Sequence, residues 1–306
     1  MTFKSAFLKM KMGKCLENNS VRPIYWADRI TSSGLSNKLG GHKRLRPLFF
    51  FLFFCFATTN PCLAQTAPVF PEKIKNFTVD NLGNIYTLTA DNQVIKYNPD
   101  GMEQFRYLNK TLGEPGLLDA TNPFHLLLFF PQHQTVLTLD RTLTLSGQFN
   151  LLQMGFLGAK AVGMASDGHL WVYDESSFLL KKVSAAGELI TESADLSLAT
   201  GKELHPVFLL ERDQTVFLND PAVGVLVFDA FGQYRKTIPL LGLAEFQVMD
   251  DQLVYFREGR LWSFHLTALL ERPFSLPVEV AGAKKLAVSN GLIYVLEEGS
   301  LSRHRI

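Results

Sequence analysis

Phe77-Thr-Val-Asp-Asn-Leu-Gly-Asn-Ile-Tyr86 is a short apolar strand, a tight polar turn and a second strand that ends on an aromatic ring. Weaker copies of the pattern end at Leu137, Trp171, Phe217, Tyr255 and Tyr294. A unit that recurs every few tens of residues marks a repeat architecture, because a single copy cannot bury its own apolar faces. Each copy reads as strand throughout, which points to an all-β ring, the β-propeller. Six copies predict six blades of four antiparallel strands. Such a ring is a platform for many functions and selects none of them.

Working outward, the first unit spans 75–109, with strands expected at 76–80, 84–89, 94–98 and 104–108. Gly83 and Gly101 fall where its turns need a positive φ. Strands rich in β-branched and aromatic residues, separated by Gly, Asn and Asp, form an antiparallel meander. The second unit is the least regular and is read as 125–130, 135–140, 143–146 and 148–153, which makes the strand beginning at His125 its innermost. The third, fourth and fifth follow the same plan from 161, 207 and 246. The sixth has only three strands, 285–288, 292–297 and 301–305. An open sheet edge invites association, and closing the ring removes it. Pro68-Val-Phe-Pro-Glu-Lys73 has the length to supply the missing strand, so it is predicted to pair with Leu301-Ser-Arg-His-Arg305.

Val79-Asp-x-x-Gly-Asn-Ile-Tyr86 followed by Ile95-x-x-Tyr-x-x-Asp-Gly101 resembles the NHL-type repeat of six-bladed propellers. Ser166-Asp-Gly-His-Leu-Trp-Val-Tyr-Asp174 is similar, whereas the second, fifth and sixth units depart from the pattern. The resemblance implies a binding platform. It equally admits a metal-dependent hydrolase or lyase, since some relatives are enzymes of that kind. The repeat residues are structural, so the resemblance carries over no catalytic residue.

The formal net charge of +1 conceals a strong asymmetry. Residues 1–47 hold ten Lys and Arg against Glu17 and Asp28, leaving 20 basic and 27 acidic side chains in the rest, a net of −7. An acidic body argues against a nucleic-acid partner, which needs clustered cations. The basic prefix runs into Leu48-Phe-Phe-Phe-Leu-Phe-Phe-Cys-Phe-Ala-Thr-Thr59 and then Asn60-Pro-Cys-Leu-Ala-Gln65. A positive region, a short apolar block and Ala64 at a cleavage position read as a signal peptide over 43–64. A signal anchor is the competing reading, and only a retained 48–59 segment would bring in a membrane. Twelve helical residues rise about 18 Å, short of the roughly 30 Å hydrocarbon core. Residues 1–42 are polar and aperiodic, an extension read as disordered or as a start site placed too far upstream. The propeller is assigned to 66–306. Cys15, Cys55 and Cys62 all precede it, so the exported part would have no disulfide framework. A large core can replace disulfides, which suits a bacterial periplasm or cell surface.

No Gly-x-Ser-x-Gly elbow, phosphate loop or His-Glu-x-x-His helix occurs in the chain. Asp80, Asp100, Asp167, Asp213, Asp250 and Asp251 recur in turns, where Asp bonds its own backbone; a calcium site is the alternative. His125 lies eleven residues before Val136 and His205 eleven before Val216, so both are expected at the entry to an innermost strand. Two imidazoles at one channel mouth would serve as acid and base or share a metal such as zinc. Glu245 and Lys284 occupy similar inner-strand positions on neighbouring blades and are expected to form an ion pair lining the channel. Trp171, Tyr173, Tyr255 and Trp262 are expected to pack between blades, not to form an exposed platform. The reading is an exported, non-enzymatic binding module for a protein, peptide or glycan, with no cofactor. A channel-mouth hydrolase or lyase using Ca or Zn and a tethered envelope-assembly subunit are the alternatives.

Overall fold

The computed structural model describes residues 70–276 and 280–306, and within them six antiparallel sheets follow one another around a ring. The extension over 1–42, the signal segment over 43–64 and the three cysteines lie outside the described residues. Blade one contains β1 (Ile74–Val79), β2 (Ile85–Thr89), β3 (Gln93–Tyr97) and β4 (Glu103–Leu108). Blade two contains β5 (Leu117–Asn122), β6 (His125–Phe130), β7 (Thr135–Leu139) and β8 (Leu145–Asn150). In blade three these are β9 (Val162–Met164), β10 (Leu170–Asp174), β11 (Leu179–Val183) and β12 (Leu189–Glu192). Blade four follows with β13 (Phe208–Arg212), β14 (Thr215–Asp220), β15 (Gly224–Asp229) and β16 (Tyr234–Ile238). Blade five has β17 (Gln247–Met249), β18 (Gln252–Arg257), β19 (Arg260–His265) and β20 (Leu270–Pro273). Blade six has β21 (Lys285–Ser289), β22 (Leu292–Glu297) and β23 (Ser300–Arg305). This is a six-bladed β-propeller.

One turn chemistry repeats around the ring. Between the third and fourth strands of blades one to four, Asn98, Asp140, Ser184 and Asp229 each accept backbone N–H groups from two and four residues on, at 2.8–3.2 Å. Asp80 does the same at the first turn, accepting from Leu82 at 3.0 Å and Asn84 at 2.8 Å. The residue three positions along each turn takes a positive φ: 84° at both Gly83 and Gly101, 83° at Gly187 and 77° at Gly232. In blade two that place is held by Leu143 at φ 58°, whose side chain is buried. A leucine where the pattern asks for glycine is why the second copy reads so poorly in the sequence.

The core is six seams, not one mass. Tyr86, Leu88 and Val94 of blade one pack on Leu126, Leu128 and Phe130 of blade two. Trp171, Tyr173 and Leu180 meet Val216, Leu218 and Phe228 across the next-but-one seam, and Tyr255 with Leu253 packs on blade four. Trp171, Tyr173 and Tyr255 are buried and Trp262 is half-buried, so these aromatics pack between blades as expected. At the seam between blades three and four the buried Glu211 accepts the Trp171 indole N–H at 2.6 Å and the Ser166 amide at 3.0 Å.

Two expectations need correction. The innermost strand of blade two is β5, which precedes the residues assigned to that unit from the sequence, and the strand starting at His125 is the second. Asp119, Thr121 and Asn122 interrupt the apolar alternation there, and the pairing with β6 shifts between Asp119 and Asn122, as at a β-bulge. The second correction concerns closure. The sixth sheet has three strands among the described residues, and Phe70 to Lys73 form none; Pro68 and Val69 lie outside the description. The ring closes by other means. The Ile74 amide donates to the Gly299 carbonyl at 2.9 Å, and the Ser289 hydroxyl donates to the Asp80 carbonyl at 3.1 Å. Phe70 wedges its ring edge-on against Tyr97, 5.0 Å between centroids, in a cluster that contains Tyr294, Leu296 and Leu301. Pro71 lies within this segment and cannot donate to a ladder, and among the described residues the buried Phe70 ring joins the ends by packing.

Candidate binding site in the central channel

Each innermost strand pairs on one side only, so six unpaired edges converge on the axis. β5 and β13, two blades apart, approach within 8 Å across it, which pushes the open space toward blades one, five and six. There the channel holds a cavity of about 200 Å³ walled by residues of every blade but the third. Phe77, Phe208, Phe246 and Leu118 give it apolar surface, and Asp119, Glu245, Lys284, Lys285 and Arg212 give it charge.

Blades five and six join two of those charges in an ion pair. Lys285 Nζ lies 2.7 Å from Glu245 Oε2 and 5.9 Å from the centre of the Phe77 ring. Gln247 fixes the two strands relative to each other, accepting the Val288 amide at 2.8 Å and donating to the Val288 carbonyl at 3.4 Å. The expected ion pair thus exists one residue along: Glu245 takes Lys285, and Lys284 turns the other way, toward blade one, and donates to the Lys75 carbonyl at 3.3 Å. Successive residues point to opposite faces, so the two adjacent lysines reach opposite neighbours and only one of them meets blade five.

Asp119 was not singled out in the sequence, and it is a half-buried carboxylate of the cavity wall. The bulge in β5 turns its carboxylate into the cavity, where Oδ1 accepts the Thr121 amide at 2.8 Å and the Thr121 hydroxyl at 2.5 Å. No other hydrogen bond or ion pair to Asp119 forms among the described residues, which leaves Oδ2 without a partner in a residue that lines the cavity. Burial deep in the ring raises its pKa above the usual carboxylate range; the two Thr121 bonds and the positive charge of Lys285 oppose this and do not cancel it. The Asp-x-Thr spacing is a legible turn signal, but nothing local says that this turn faces an axis.

The two histidines are not brought together. His205 precedes β13 and sits on the face where chains enter innermost strands, with its side chain 61% exposed. His125 follows the hairpin turn after β5, which places it on the opposite face, because an antiparallel hairpin reverses direction. Among the described residues no three His, Cys, Asp or Glu side chains stand close enough to hold a metal ion. Of the turn acids, Asp80 spends Oδ1 on the backbone and Oδ2 on Asn84 at 2.8 Å and the Tyr86 hydroxyl at 3.2 Å. Asp167 is taken up by Lys182 at 2.5 Å.

No family model matches the sequence, and no curated protein matches it. Solved structures do. A virginiamycin B lyase from Staphylococcus aureus aligns with 77% of this chain and 81% of its own at 12% identity, with a TM-score of 0.52. A streptogramin B lyase aligns with 79% of this chain and 86% of its own, also at 12% identity, with a TM-score of 0.53. What is shared at that identity is the propeller fold, in keeping with the NHL-like turns of the first and third blades.

Proposed function

We propose that the protein is an exported, non-enzymatic binding module whose partner inserts a small group into the central channel. The observation that carries this reading is the cavity itself: apolar walls, one half-buried carboxylate and a paired Lys285–Glu245 at the rim. Ligand sites combine mostly apolar lining with a few placed polar groups, and this lining has that character. A volume of about 200 Å³ accommodates a side chain or a terminal group, not a whole glycan or peptide. The partner is therefore a peptide, protein or glycan that docks on the mouth and projects one group inward. The separation of His125 from His205 favours binding over a hydrolase or lyase built on that pair. Export rests on the apolar block at 48–59 and Ala64, and N-terminal sequencing of the secreted form should return a start near Gln65.

Ala244 is exposed and lines the cavity at its mouth, so Ala244→Trp should block entry without disturbing a blade. Peptide and oligosaccharide libraries screened by equilibrium binding should yield ligands that lose at least tenfold in affinity for this variant. Ligands that bind both forms equally would place the binding surface elsewhere.

A further inference from the structure

Resting on the channel as the binding site, the charges in its wall narrow the chemistry of the inserted group. Each cation of the lining already has a partner. Lys285 is held by Glu245 at 2.7 Å, Arg212 lies 3.6 Å from Asp213, and Lys284 is exposed and donates to the Lys75 carbonyl. Glu245 is committed in turn to Lys285. The one carboxylate in the wall without an ionic partner among the described residues is Asp119, with Oδ1 accepting twice from Thr121 and no hydrogen bond to Oδ2. A carboxylate partly withdrawn from bulk water and without a directly paired cation is costly, and a ligand that brings an opposite charge into contact recovers part of that cost.

We infer that the channel takes a primary ammonium group carried on a short hydrocarbon stem, with the ammonium on Asp119 Oδ2. The stem lies against Phe77, Phe208 and Phe246, whose ring faces attract a cation passing over them as well as covering methylenes. A compact ammonium with three donors suits a single carboxylate oxygen better than a planar guanidinium, which needs both oxygens for a bidentate pair. Oδ1 is already taken, so selection falls on lysine-like groups over arginine-like ones. The same ammonium chemistry is offered by a small free amine and by a lysine side chain of a peptide.

The test titrates n-pentylammonium, 1-pentanol and pentanoate into the protein at neutral pH, together with the acetylated tripeptide amide Gly-Lys-Gly and its norleucine counterpart. For the wild type, n-pentylammonium should bind at least tenfold tighter than 1-pentanol, with pentanoate weakest. Asp119→Asn keeps the oxygen that accepts from Thr121, so it should fold and abolish the tenfold preference. Tighter binding of the lysine peptide than of n-pentylammonium assigns the group to a peptide side chain; the reverse assigns it to a free amine. Equal binding of n-pentylammonium and 1-pentanol, both blocked by Ala244→Trp, would overturn the ammonium and leave the channel standing as the site. A preference that survives Asp119→Asn would also overturn it. Binding of every probe unaffected by Ala244→Trp would overturn the channel site and the ammonium inference together.

Discussion

At the residue scale, the polar side chains of this protein divide into those spent on the fold and those left over. Asp174, at the end of β10, belongs to the first group: it accepts from Lys181 at 2.7 Å and from the hydroxyls of Ser176 and Ser177, both at 2.7 Å. Burial alone would raise its pKa, but Lys181 and the serine hydroxyls outweigh burial and hold it down at about 2. A carboxyl depressed in the folded state adds stability that is full above its unfolded pKa and is lost as pH falls through the folded value. Asp174→Asn should therefore cost on the order of 2 kcal/mol at pH 7 in urea unfolding. The gap between variant and wild type should close between about pH 4 and pH 2. A gap that stays constant over that range would contradict the assignment. Asp119 belongs to the second group, having one oxygen spent on Thr121 and one left for a ligand.

At the element scale, the approach of β9 to β13 decides how closely blades three and four can sit. A Cβ at Gly163 would lie 2.5 Å from Leu209 Cδ2 and 2.8 Å from the Leu209 carbonyl oxygen. The leucine tip can move, but the carbonyl belongs to the innermost strand of blade four and cannot. Gly163→Ala should destabilise the protein by about 1–3 kcal/mol as overpacking, read from the shift in denaturation midpoint. An unchanged midpoint would mean that the seam is looser than the distances imply. β5 carries the opposite lesson. Its central Asp119-Ala-Thr-Asn122 reads as a loop because polar turn-formers break the alternation, yet the neighbouring blades hold it as an innermost strand with a bulge. The bulge aims Asp119 into the channel, so the segment that is hardest to recognise as strand supplies the site.

At the scale of the whole molecule, the ring must join its ends without a fourth strand in blade six among the described residues. Phe70 is the part that does so by packing, buried against Tyr97 and within the cluster holding Tyr294 and Leu301. Phe70→Ala should cost about 3–5 kcal/mol, the usual range for a buried phenylalanine, and lower the denaturation midpoint of the whole ring in one transition. Phe105→Ala, at a ring 38% exposed on an outer strand, serves as the control and should change stability far less. Equal effects of the two substitutions would show that the N-terminal plug does not hold the ring.

The sequence by itself determined the number of blades, the strand pattern of the first, third, fourth and sixth units, and the glycines of the turns, because all of these rest on contacts between residues close in the chain. Apolar alternation, a capping Asp or Asn and a glycine three residues later, as in Asp80 to Gly83, are complete within one turn. Tertiary structure decided the rest. Whether His125 faces His205 depends on which hairpin strand is innermost, and the sequence signal for that failed where Leu143 replaced the expected glycine and Asp119 broke a strand. Lys285 rather than Lys284 meets Glu245 because the two strands belong to different blades, and their relative register is held by Gln247 across the seam. The channel exists only when six innermost edges converge. Asp119, the half-buried carboxylate without an ion-pair partner among the described residues, owes its place to that convergence, which no stretch of chain contains.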